Sequence, residues 1–421
     1  MTDLNDLRAF LDNSPSPFHA AQSAAQRLEA SGFSRVEESE RWADVPRGYV
    51  VRGAALVAWN APQTDVPMTR APFRIVGAHT DSPCLRIKPN PDTGALGWRQ
   101  LAVEVYGGAL LNSWLDRDLG IAGKVLLRDG GSRLLNVAEP IARVPQLAIH
   151  LDREVNDRGL LLDKQQHLSP VWGLGQAGPG DFATFIAHRL SLGSPNDVAA
   201  WELCLYDLTP AAVLGSDSSL LASGRLDNLL SCWAATTALC TARPALETQV
   251  IALFDHEEVG SESNSGAAGP LLEHVLERLS LARGADREDF LSALSQSTCV
   301  SADNAHAVHP NYPERHEPGH RPLVNAGPAI KVNANQRYAT SADTAVGFAE
   351  CCRRAGVPVQ TFVSRNNMPC GSTIGPITAT RLGIATVDVG IPQLSMHSAR
   401  ELCGVDDPDY LLRALDAYFS D

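Results

Sequence analysis

From Gly224 to the C-terminus, short apolar runs alternate with amphipathic helical ones, and this alternation restricts the possible fold more than any other feature. LDNLLSCWAATTALC (226–240) and TAVGFAECCRRAG (344–356) read as helices, whereas QVIALFD (249–255), STCVSAD (297–303), VPVQTFVS (357–364) and IATVDVG (384–390) read as strands. Strands joined through helices run parallel, so the expected class is α/β, with a mixed, largely parallel sheet sandwiched by helices. FRIVGAH (73–79) adds a further buried strand. Ser16 followed by Pro17 opens a helix through Phe18–Ala30 that closes at Gly32.

Between about Gly97 and Asp207 the texture changes. KVLLRDGGSRLLNV (124–137) has the strand, Asp-Gly-Gly turn, strand layout of a hairpin, and AVEVY and ELCLY also read as strands. A β-rich body over residues 91–218 is therefore expected as an insertion into a discontinuous α/β domain formed by 1–90 and 219–421. Within the insertion the Gly-rich stretch VWGLGQAGPGD (171–181) is expected to be a mobile loop.

At 421 residues the chain is long enough for one large core and a second body. Its 44% hydrophobic and 20% charged residues are those of an ordinary globular protein. No run approaches the roughly 20 apolar residues of a membrane-spanning helix, and the acidic start MTDLNDLRAF lacks the layout of a secretory signal. Nine scattered cysteines, an odd number, suit a reducing compartment better than a disulfide framework. A cytoplasmic location is expected. The net charge of −13 argues against nucleic acid or an anionic membrane as partner.

In open α/β sheets, ligands gather at the C-terminal ends of the strands. Here those ends carry His79-Thr80-Asp81, Asp255-His256-Glu257-Glu258 and Asp303, while His397 follows the last strand and Asp227 begins a helix where the insertion returns. Histidine with carboxylate is the donor set that zinc-like ions accept, and a bridging carboxylate would hold two ions roughly 3.5–4 Å apart. Asp81, two residues past His79, is placed to accept the second imidazole N–H and set the tautomer. Of the adjacent Glu257 and Glu258, one can bind metal while the other stays free as a base. Singly, each has an ordinary explanation: an Asp at a helix start is commonly an N-cap, and paired surface glutamates are commonly only solvated. It is their joint placement at strand ends that points to a metal hydrolase.

Several long strings then carry a resemblance: GAHTDSPCLRIKP (77–89), SWLDRDLGIAGKV (113–125), GRLDN (224–228), FDHEEVGS (254–261), SADNAHAVHPNY (301–312), IKVNANQRYAT (330–340), PCGSTIGP (369–376) and SMHSARE (395–401). In order and content they resemble the aspartyl aminopeptidase family of metallopeptidases over essentially the whole chain. The resemblance implies a zinc-peptidase-like catalytic domain interrupted by a β-rich dimerisation domain, two divalent metal ions per subunit, zinc by default with cobalt or manganese acceptable, and dimers assembled into a tetrahedral dodecamer. By position, it implies His79 and Asp303 as ligands of one ion, Glu258 and His397 as ligands of the other, Asp227 as the bridge, Glu257 as general base and Asp81 as the orienter of His79. It further implies that Lys331 borders the pocket for the first substrate residue and favours acidic side chains. His150, in AIHLDREVN, is implied to reach a partner's site as a substrate contact or to bind an auxiliary metal. The loop RNNMPCGS departs from the family at Asn367 and Met368, where Asp-Ser is common.

The expected activity is thus removal of single residues from the N-terminus of peptides, with acidic first residues preferred. The rivals are a two-metal carboxypeptidase or amide deacylase, a non-catalytic assembly protein, and a cysteine nucleophile at Cys370, whose Pro-Cys-Gly turn reads as structural. The cluster His306, His309, His316 and His320 lies in a Pro-rich stretch and reads as a solvated or substrate-lining loop rather than a third metal site.

Overall fold

The computed structural model describes residues 4–62 and 68–420; Met1–Asp3 of the acidic N-terminal segment, residues 63–67 of the expected catalytic domain and Asp421 lie outside them. Its framework is a nine-stranded sheet whose central strands, Thr248–Phe254, Phe73–His79, Thr298–Ala302 and Ala385–Gly390, lie side by side and all parallel. Antiparallel neighbours flank this centre: Ala55–Asn60 on one side and Ala329–Val332 on the other.

Period-two alternation decides which layer each strand residue meets. Val76, Ala78, Ile251 and Leu253 pack into one core with helices Leu4–Asp12, Pro17–Ala30, Leu226–Thr241, Ala342–Ala355 and Asp407–Phe419. Phe73, Ile75, Val250 and Ala252 pack into another with helices Leu271–Ala282, Arg287–Ser295 and Ile374–Leu382. Both faces are covered, as the near-continuous apolar strands require. Helix Pro17–Ala30 starts as its sequence dictates: Ser16 Oγ accepts from the His19 N–H, and Pro17 sits at the first helical position, where a missing N–H costs nothing.

The insertion forms a six-stranded sheet, antiparallel at every pairing, in the order Ser132–Ala142, Leu119–Leu127, Val198–Asp207, Cys84–Ala95, Trp98–Tyr106 and Val171–Leu174. The division expected at 90/91 falls inside strand Cys84–Ala95, which begins only five residues after His79. The expected mobile loop at 171–181 is partly ordered: residues 171–174 are a strand paired to Trp98–Gln100, and Trp172 meets Phe182 and Phe185 edge-on. Its glycine content hid an edge strand anchored by one aromatic. A third, five-stranded sheet joins Leu220–Ser223, at the return from the insertion, to Glu401–Gly404 near the C-terminus, with Ser223 opposite Glu401. This pairing brings distant parts of the chain, residues 225–228 and 395–401, to one place. Among the described residues, no helix is long and apolar enough to cross a membrane.

Candidate metal centre

Because strands 73–79, 248–254 and 298–302 are parallel and adjacent, their C-terminal ends deliver His79, the 255–258 turn and Asp303 to one rim. Asp227 reaches it from the start of helix Leu226–Thr241. It is not an N-cap: the capping position is Arg225, and Asp227 has φ −83° and ψ 105°, outside helical values. Two buried amides stitch this turn to the sheet, Asn228 Nδ2 donating to the Ala302 carbonyl (2.8 Å) and Asn304 Nδ2 to the Leu226 carbonyl (2.8 Å).

The two oxygens of Asp227 face different histidines. Oδ1 is 3.4 Å from His79 Nε2, and Oδ2 is 3.5 Å from His397 Nε2, which lies 3.3 Å from Glu258 Oε2. These separations exceed an ordinary hydrogen bond. They match the spacing of two donors on one tetrahedral ion, about 3.3 Å for bonds of about 2.0–2.2 Å. Asp227 Oδ1 and Glu258 Oε1 are buried with no hydrogen-bond partner. A buried orphan acceptor is costly unless a cation satisfies it. His79, Asp227 and Glu258 offer donor atoms all within 4.8 Å of one another, so the donor set fits a divalent metal.

The electrostatics agree. Burial pushes the Glu257 carboxyl up to about 8, with Asp303, Asp227 and Asp81 adding to the rise and His79 opposing it. Burial, then the charge of Asp227, raises Glu258 well above the carboxylate range. Burial would also raise Asp227, but His397 and His79 outweigh it and hold that carboxyl below its ordinary value. His397 rises to about 10, its loss of solvent outweighed by Asp227 and Glu258. Protons thus balance the clustered charge when no cation does, and a metal would displace them.

The neighbouring residues are as ordered as the donors. His79 Nδ1 meets the backbone carbonyl of Asp81 at 3.0 Å, while the Asp81 carboxylate stands 3.5 Å away. That carboxylate accepts the backbone N–H groups of Glu257 and Glu258 (both 3.1 Å) and the hydroxyl of Tyr106 (2.6 Å). Glu401 accepts from the backbone N–H of Asp227 (2.9 Å) and of His397 (2.7 Å). Neither Tyr106 nor Glu401 was singled out from the sequence. Glu401 lies four residues past His397 in SMHSARE, a signal that could have been read; Tyr106 gives none without the fold.

Lys331 is buried, 3.5 Å from Asp303 Oδ1, with its ammonium 5.4 Å from the centre of the Tyr338 ring. Beside the rim, His306, His309 and His316 line a cavity of about 270 Å³ with Tyr338, Met368 and Met396. Cys370 packs against the small apolar cluster of Ala305, Ala329, Tyr338 and Phe362. His150 is not part of the cluster within the chain: it lies on an exposed 3-10 turn, Ile149–Leu151, among exposed Leu147, Ile149 and Leu151.

Comparison with known proteins bears on the same region. The model of the aminopeptidase I zinc metalloprotease (M18) family matches residues 10–419. A probable M18 family aminopeptidase 2 from Streptomyces coelicolor is 55% identical over 420 residues, covering 98% of this chain and 96% of that protein. In the cryo-EM structure of the Ape4 and Nbr1 complex, a chain 35% identical superposes with a TM-score of 0.93, over 99% of this chain and 85% of that one. The mApe1 dodecamer of S. cerevisiae is 27% identical, with a TM-score of 0.84 over 99% and 96% of the two chains. A rim of histidine and carboxylate donors, buried and spaced for a cation, and likeness over nearly the full length in both sequence and fold make this chain a metal-dependent aminopeptidase that belongs to the M18 family.

Proposed function

We propose that this aminopeptidase uses two metal ions and prefers peptides with an acidic first residue. The observation that carries the two-metal reading is Asp227, whose oxygens address His79 and His397 separately while Oδ1 has no other partner. In this reading His79 and Asp303 hold one ion, Glu258 and His397 the other, and Asp227 bridges. When bound, two divalent ions, zinc by default with cobalt or manganese acceptable, supply Lewis acidity and a water of lowered pKa. Glu257, a largely buried carboxylate among these donors, is assigned no ligand role in this reading and would take the proton of the attacking water and return it to the leaving amine. Asp81 keeps His79 and the Glu257–Glu258 turn in place. Lys331 has three N–H donors and, besides the face of the Tyr338 ring, a long contact to Asp303, which leaves donors for a substrate carboxylate.

Peptides differing only in an acidic, basic or apolar first residue, with N- or C-terminus blocked, test this in apo and metal-loaded protein. Cleavage should need metal and a free N-terminus and favour Asp or Glu; a need for a free C-terminus would favour the carboxypeptidase reading, and no hydrolysis the assembly reading. Lys331→Ala should erase the acidic preference, and an unchanged preference would remove Lys331 from the pocket.

The dimer and dodecamer follow the same reading, with His150 of one subunit reaching the catalytic rim of another in a cytoplasmic assembly. Its exposure beside three apolar side chains on a turn of the inserted body supports that role. An imidazole there would stabilise a developing oxyanion, a contribution of about 2.7–4 kcal/mol in comparable cases. Mixing inactive Glu257→Gln chains with inactive His150→Ala chains should restore activity, since a mixed pair holds one intact site. No recovery after confirmed subunit exchange would end the shared-site idea.

A further inference from the structure

Strand Trp98–Tyr106 belongs to the inserted sheet, yet its end runs straight into the metal centre of its own chain. The Tyr106 hydroxyl donates to Asp81 Oδ2 at 2.6 Å, and the same carboxylate accepts the N–H groups of Glu257 and Glu258. Arg86 lies over the Tyr106 ring, 3.8 Å from its centre, on the neighbouring strand. Tyr106 therefore fixes one face of the carboxylate that orders the 257–258 turn.

The next two residues press on two of the donor groups. Gly107 has φ +70°, and a Cβ there would lie 3.2 Å from Glu258 Cβ. A Cβ on Gly108 would lie 3.2 Å from His397 Nδ1 and 3.7 Å from its Cε1. The Gly108 carbonyl stands 3.2 Å from that Nδ1. A carbonyl can only accept, so the contact keeps a proton on Nδ1, and in the neutral ring that a metal donor requires, Nε2 is then the unprotonated nitrogen, facing Asp227 and Glu258. The segment then stays attached: the Leu110 N–H donates to the His397 carbonyl (3.0 Å), and Ser113 Oγ accepts from the Ala399 N–H (2.8 Å).

We propose that Tyr106-Gly107-Gly108 is a positioning strap, supplied by the inserted body to its own chain, that sets the 257–258 turn through Asp81 and the tautomer and ring placement of His397 through the Gly108 carbonyl. The proposal rests on reading Glu257 as the base and His397 as a metal donor. It gives the insertion a role in the site that does not depend on a second subunit. It also explains two consecutive glycines at the end of a strand: each stands where a side chain would meet Glu258 or His397, and Gly107 also takes a left-handed backbone that suits glycine.

Two variants of the full-length protein separate the strap's functions. Gly108→Ala must push the His397 ring by a few tenths of an ångström or lose the carbonyl contact, so metal retention after dialysis against a chelator should weaken by about 10–100-fold, the usual cost of disturbing a donor's outer hydrogen bond. Tyr106→Phe keeps the ring beneath Arg86 and removes only the hydroxyl, so kcat should fall by about 10–100-fold while KM and metal content stay at wild-type values and the melting temperature drops by only a few degrees for the lost hydrogen bond to a buried carboxylate. Wild-type metal retention in Gly108→Ala, measured beside a metal-deficient His397→Ala, would overturn the His397 half of the strap. Unchanged kcat in Tyr106→Phe, beside an inactive Glu257→Gln, would overturn the other half. Should His397→Ala keep its full metal complement, or Glu257→Gln its turnover, the donor or base assignment would fall, and with it that half of the proposal.

Discussion

Replacing Glu257 by glutamine is expected to lower kcat by about 10²–10⁴, the usual contribution of general acid–base catalysis, with metal content unchanged. Glutamine keeps the size and polarity of the side chain but can neither take a proton from water nor return one to the leaving amine. The backbone N–H of residue 257 still donates to Asp81, so the turn that carries Glu258 stays in place. Burial raises the Glu257 carboxyl to about 8 in the metal-free protein. Bound cations would lower that value by stabilising the carboxylate, toward the range in which a base works near neutral pH. Turnover and bound metal per chain, measured on the same preparation, check this. Near-normal turnover at full occupancy would assign the base elsewhere, and a loss of metal would make Glu257 a ligand.

How much of this was legible in the sequence depended on the range of the interactions. The helix at Ser16-Pro17 and the strands ending at His79, Asp255 and Asp303 announce themselves locally, through capping chemistry and apolar runs, and the structure has them where the sequence puts them. The rim was readable because parallel strands carry their C-terminal residues to one edge. What the sequence hid is long-range or masked by composition. Strand Val171–Leu174 lies in a run rich in glycine, and its pairing to Trp98–Gln100 spans some seventy residues of chain. Tyr106 reaches Asp81 only because the insertion folds back on its point of departure, and Glu401 meets Asp227 and His397 through a small sheet formed by segments nearly two hundred residues apart. Asp81 shows both sides of this. Its nearness to His79 is a two-residue pattern, but its larger task, holding the 257–258 turn through two backbone N–H groups, belongs to the adjacency of strands 73–79 and 248–254.

Asp227→Asn is expected to remove at least one of two metal ions from each chain and with it nearly all turnover. The amide has one acceptor oxygen where the carboxylate has two, so it cannot serve the His79 side and the His397 side together. The carboxylate charge is lost as well, and with it the attraction for both cations in a buried site, where screening is weak. The backbone would hold: the N–H of residue 227 still donates to Glu401, and its carbonyl still accepts from Ser82 Oγ (2.7 Å). The variant should therefore fold, which makes stability a second readout. A metal that binds only the folded state stabilises it by about 2.7 kcal/mol at a free concentration of about 100 Kd, so wild-type protein should melt higher as metal is added. In Asp227→Asn that rise should shrink or vanish, while the metal-free melting temperature should fall modestly, because His397 and His79, which hold the Asp227 carboxyl below its ordinary value in the fold, lose their ionic partner. Two tightly held ions per chain in the variant would rule out the bridge and leave His79 and His397 serving independent sites.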